Sequence, residues 1–177
     1  MSMTIVLKWK YLHYDIDQLT YRYGKVHTTD EENKELAQTT AWNESDTNLV
    51  RRLVVTGTAR LRRILADYIT AKVEDANDTL PTEKAEWSFT FNDDVEADGH
   101  ALAELMHWFV VRWCIYEWCK MFAPEQALLE KAGADELKKD LERMMHGDSS
   151  MPTKEPLKNA DEEYVESVVI TYEPDEP

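Results

Sequence analysis

His100, Glu104 and His107 are the residues whose types and spacing come closest to supporting a reaction. They recur at i, i+4 and i+7 and so share one side of a helix, and Glu104 with His107 reproduces the Glu-x-x-His half-motif of carboxylate-bridged di-metal bundles. Such a centre needs a second pair of the same kind and two further inward carboxylates. The other comparable pair, Glu142 with His146, has the wrong spacing and stands near a helix end. These are therefore expected to be polar residues at a helix start, with no metal bound. Cys114 and Cys119 are the only cysteines. On one helix their Cα atoms would lie about 8 Å apart, too far for a disulfide, and thiols among aromatic residues usually behave as small inert hydrophobes. The chain has no Gly-rich phosphate loop, no G-x-S-x-G elbow and no Cys-x-x-Cys pair. A non-enzymatic role without catalytic residues or cofactors is the expectation.

The element that would position these residues, HALAELMHWFVVRWCIYEWCKMF from His100 to Phe122, carries Trp108, Trp113, Trp118, Phe109, Phe122 and Tyr116. Its apolar residues run almost all the way round, and a helix of that kind must be covered on nearly every side. It is long enough to span a bilayer, but Glu104, His107, Arg112, Glu117 and Lys120 would each be costly there, so no membrane span is expected. Nor does MSMTIVLKWKYL have the apolar run and small-residue cleavage site of a signal peptide. With so few cysteines, synthesis in a reducing cytoplasm fits. The tryptophans read first as core and second as a protein interface, since aromatic residues are enriched in both.

At 177 residues and 43% hydrophobic content the chain suits one main core. Its net charge of −15 opposes general nucleic-acid binding, which rests on cations that neutralise phosphates. That charge is unevenly spread. The segment 46–72 holds Arg51, Arg52, Arg60, Arg62, Arg63 and Lys72 against Asp46 and Asp67, a local +4 that leaves −19 for the rest. Arg52, Arg60 and Arg63 lie within about 80° of one another on a helical wheel. Such a strip could be a solvated face balanced within the subunit, a contact for an acidic neighbouring subunit, or a weak nucleic-acid site. The tail from Asp161 to Pro177 has seven carboxylates and no Lys or Arg.

Along the chain, alternation over Thr4–Tyr11 predicts a strand that places Ile5, Leu7, Trp9 and Tyr11 on one side. Asp15 with Gln18 looks like a capping pair for a short helix ending at Gly24, and Thr29 with Glu32 a second one. Val50, Leu53, Val54, Leu61, Ile64, Leu65 and Tyr68 predict a long amphipathic helix over 46–73, with Gly57 on its inner side marking a close approach of another element. Trp87, Phe89 and Phe91 alternate in a second strand over 86–92. Asp98 is placed to cap the aromatic helix, and Pro124 to start another that ends near Gly147, with Leu128, Leu129, Leu137, Leu141 and Met144 as its apolar side. Residues 149–156 read as a linker. A third strand, over 164–172, includes Val168, Ile170 and Tyr172.

The order of these features, a YLHYDID turn after the first strand, an LRRILADYI helix, the EWSFTF strand and the ALAELMHWFVVRWCIYEW helix, resembles small proteins encoded among the structural genes of Bacteroidetes phages and prophages. Those in turn resemble head-to-tail connector, or head-completion, proteins of tailed phages. The likeness covers about residues 46–146 and the first strand, and it rests on element order and aromatic placement. It implies a virion subunit forming a homo-oligomeric ring in the neck between portal and tail proteins, with no membrane or sequence-specific nucleic-acid partner. The expected fold is α+β, mainly α, with three main helices and a small sheet from N-terminal, central and C-terminal strands. Residues 1–147 would form the core domain, and 148–177 a linker, strand and acidic tail. Arg52, Arg60, Arg63, Trp113, Val168, Ile170 and Tyr172 are the candidate subunit-interface residues. The alternative is a cytoplasmic protein-binding module that recognises an acidic or extended peptide.

Overall fold

The computed structural model describes residues 2–26, 47–70, 85–146 and 168–173. The expected second capping pair, the linker over 149–156 and most of the acidic tail lie outside them. The elements run β1 (Ser2–Lys8), α1 (Trp9–Val26), α2 (Thr47–Ile64), β2 (Glu86–Thr90), α3 (Gly99–Phe122), α4 (Pro124–Met145) and β3 (Val168–Glu173). The fold is α+β and mainly helical, with four described helices where three main ones were expected.

The fourth is α1, expected only as a short helix after Asp15 and in fact 18 residues long. Alternation carries β1 only to Lys8, because Trp9 donates its backbone N–H to the Ala85 carbonyl at 2.9 Å, at the end of the sheet, and the apolar period then changes. Trp9, Leu12 and Ile16 are all buried and recur at helical spacing, whereas Tyr11 is only half-buried. Asp15 consequently lies in mid-helix and is no cap.

The sheet has the order β2-β1-β3, with both pairings antiparallel. Ile5 opposes Phe89 and Leu7 opposes Trp87, all four buried, while Thr4 and Thr90 meet at 3.1 Å between hydroxyls. On its other edge β1 pairs along its length with β3, placing Val168, Ile170 and Tyr172 in register with Leu7, Ile5 and Met3. The C-terminal strand thus joins the core sheet within its own chain, across the division expected at residue 148.

α3 occupies the centre and packs against α1, α2, α4 and the sheet. Asp98 Oδ1 accepts the backbone N–H groups of His100 and Ala101 and so caps it. Leu102, Met106, Phe109, Val110, Val111, Ile115 and Trp118 are buried around nearly its whole circumference. α2 ends at Ile64, short of the expected 73, in a turn that leads Ile69 into a bridge with Phe91. α4 runs unbroken through Gly133, and its inner side is the expected one in part: Leu141 is buried and Leu137 and Met144 pack against the core, but Ala127, Glu130 and Ala134 complete it, while Leu128 and Leu129 are 69% and 67% exposed. Small alanines let α4 lie close to the bulky α3, and the two leucines fall on the far side.

Gly57 fits its expected role. A Cβ there would stand 3.4 Å from both Trp113 Cδ1 and Val110 Cγ1 and 3.6 Å from Cys114 Sγ, so the missing side chain sets how closely α2 approaches α3. Gly57→Ala just fits and gains up to about 1 kcal/mol of helix propensity, so it should be as stable as wild type or slightly more so. Gly57→Leu must push the helices apart and should lose about 1 to 3 kcal/mol or more; urea denaturation of the two variants checks both.

Candidate functional site

The three residues that came closest to a catalytic constellation do not converge. His107 points into the interior, where its Nε2 meets Asp15 Oδ2 at 2.7 Å with both side chains buried, while His100 and Glu104 are exposed. Among the described residues no group of three His, Cys, Asp or Glu side chains could hold a metal ion. The geometry gives His107 a different task, tying α1 to α3. A lone histidine in an apolar run needs a buried polar partner. Had the helix been read from Trp9, Asp15 would have fallen on its inner side next to Leu12 and Ile16.

A second buried tie joins α3 to α4. Arg112 Nη1 donates to both carboxylate oxygens of Glu130, at 3.0 and 2.8 Å, and Gln126 Nε2 adds a bond at 3.2 Å. The Glu130 side chain is only 2% exposed, so it depends on these donors to remain in the interior. The sequence signal was a single arginine inside an aromatic run.

The cysteines are shielded. Burial raises the Cys114 thiol far above its ordinary range, and burial followed by the nearby Glu130 carboxylate pushes Cys119 up to about 11. Near the ends of α2 and α4 a shallow depression of about 470 Å³ is lined by Leu65, Tyr68, Glu142, Met145 and His146 among others. There Tyr68 Oη and His146 Nδ1 are 3.3 Å apart, and Glu142 already pairs with Lys138 at 3.4 Å.

The surface of α2 has more to offer. From Thr47 to Ile64 it carries five arginines and no carboxylate. Arg60 sits over the Trp113 ring, with Cζ 4.0 Å from the centroid, and Arg62 over Phe89 at 4.5 Å. Both arrangements suit the guanidinium plane. Arg52 and Arg63 are exposed, and among the described residues neither forms an ion pair. Among the described residues, therefore, no carboxylate balances the strip at these two positions. Arg52, Arg60 and Arg63 share the outer face of α2. Trp113, at 8% exposure, lies behind Arg60 and belongs to the seam between α2 and α3, supporting that face from within. Its indole N–H is buried without an acceptor among the described residues. Val168, Ile170 and Tyr172 stand apart from this face, on the sheet.

No family model, no curated protein and no solved structure matches this chain. No described helix is long and apolar enough to cross a membrane.

Two outcomes are expected of these buried groups. Asp15→Ala leaves the buried His107 without its partner and should cost about 1 to 3 kcal/mol. Combining it with His107→Ala should cost less than the sum of the single changes, as a denaturation double-mutant cycle would show. The thiols should resist reagent in the native protein and react with two equivalents after unfolding. Because Cys119 ionises at a higher pH folded than unfolded, its contribution is fully present below the ordinary value of 9.0 and is lost as pH rises toward about 11. Stability should accordingly fall across that window.

Proposed function

We propose that this chain is a non-enzymatic structural subunit of a tailed-phage virion, a head-to-tail connector or head-completion protein that works as a homo-oligomeric ring between portal and tail. The carrying observation is the arginine face of α2, where Arg52 and Arg63 are exposed and form no ion pair among the described residues, in a chain whose net charge is −15. Exposed cations of this kind add little to the fold of their own chain. An acidic neighbour gives them a use, and a second copy of the same chain is such a neighbour. Elsewhere on the surface, the exposed leucines Leu128 and Leu129 of α4, with Met121 half-exposed near the turn between α3 and α4, add apolar surface of the kind found at protein contacts. The likeness in element order to phage structural proteins supplies the virion setting.

A cytoplasmic module that binds an acidic or extended peptide is the second reading. The same arginine face favours it, as does the outer edge of β3, to which an extended segment could add by main-chain hydrogen bonds. The two readings differ in self-association. Sedimentation velocity of the purified full chain at near-physiological salt should give one defined oligomer of several copies. A monomer at every concentration would contradict the ring and favour the module.

A further inference from the structure

A second face of the molecule is the electrostatic complement of α2. Between Ala85 and Val111 the sequence contains Glu86, Asp93, Asp94, Glu96, Asp98 and Glu104 and no lysine or arginine. Some of these carboxylates are used within the chain: Glu86 lies 3.9 Å from Lys8, and Asp98 caps α3. Asp94, Glu96 and Glu104 are exposed and form no ion pair among the described residues. They occupy the loop from β2 into α3 and the first turns of α3. That loop leaves the sheet beside the C-terminal end of α2, where Asn92 donates its backbone N–H to the Tyr68 carbonyl at 2.9 Å.

Among the described residues the molecule thus presents exposed cations and exposed anions that form no ion pair with one another. Arg52 and Arg63 stand about 16 Å apart along α2, so the arginine face extends away from the acidic loop toward the other end of the helix. Between them the outer face carries Val55, Thr56 and Ala59, all exposed and short enough for another backbone to approach.

We infer that the arginine face of α2 in one copy receives the Asp94, Glu96 and Glu104 face of a second copy. The inference rests on the structural-subunit reading and names the contact that would join its subunits. Because the two surfaces differ, the contact is heterologous: each added copy leaves one face of each kind open until a ring closes. Exposed ion pairs are individually weak and screened by salt. Several acting together with the apolar Val55 should give an association that weakens steeply as ionic strength rises.

The test is a charge swap in the full chain, read by sedimentation velocity. R52E/R63E makes both faces acidic, and D94K/E96K makes both basic; all four side chains are exposed, and circular dichroism should match wild type. Each variant alone should associate at least about tenfold more weakly than wild type. An equimolar mixture should recover assembly, because each variant then supplies the face the other lacks. If both variants assemble alone as wild type does, or if the mixture stays dissociated, these two faces do not meet, while the subunit reading stands on the wild-type oligomer. If wild type itself is monomeric at every concentration, the subunit reading fails and this contact fails with it.

Discussion

A helix apolar on nearly every side cannot rest on a surface, and α3 imposes that constraint on the whole chain. Leu102, Met106, Phe109, Val110, Ile115 and Trp118 point in different directions around its axis, so α1, α2, α4 and the sheet must each supply part of its cover. Burial of that kind is strong but not directional. Direction comes from a few specific contacts: the Asp15–His107 hydrogen bond places α1, the Arg112–Glu130 pair places α4, and the bare Cα of Gly57 lets α2 close on Trp113 and Val110. Buried polar ties of this sort cost more when half removed than they contribute when intact.

The same constraint shapes what the protein can do. His107 and both thiols are enclosed, and Trp113 is covered by Arg60, so these residues of α3 serve the packing of the core. What remains for recognition lies outside the core. Charge there is sorted: arginines on α2, carboxylates on the loop into α3, both with members that find no partner among the described residues. Separated opposite charge on one molecule gives little to a monomer's stability, but it selects partners and sets their orientation.

Most of the architecture could be read from the sequence where one period dominates. The strands built on Ile5, Leu7, Trp87 and Phe89, the capped aromatic helix and the close approach at Gly57 are all present. Misreadings cluster where periods overlap or where packing, not pattern, decides. Trp9 belongs to the strand alternation and to the helical spacing of Leu12 and Ile16 alike, and only the Trp9–Ala85 bond ends the strand. On α4 the large leucines looked like the inner side, yet the bulk of α3 admits Ala127 and Ala134 and turns Leu128 and Leu129 outward. The arginine strip was legible from spacing alone. That two of its members find no carboxylate among the described residues could not be, since pairing depends on residues far apart in sequence. The acidic residues of the loop carry no distinct pattern in the sequence, since their complement to α2 appears only in the fold.

The most direct measurement is an electron cryo-microscopy reconstruction of the full chain assembled at low ionic strength. The account predicts a closed ring in which the apolar residues of α3 are covered within their own subunit and the outer face of each α2 rests on the acidic face of a neighbouring copy. Single-copy particles, or a ring that leaves Arg52 and Arg63 in solvent, would contradict it.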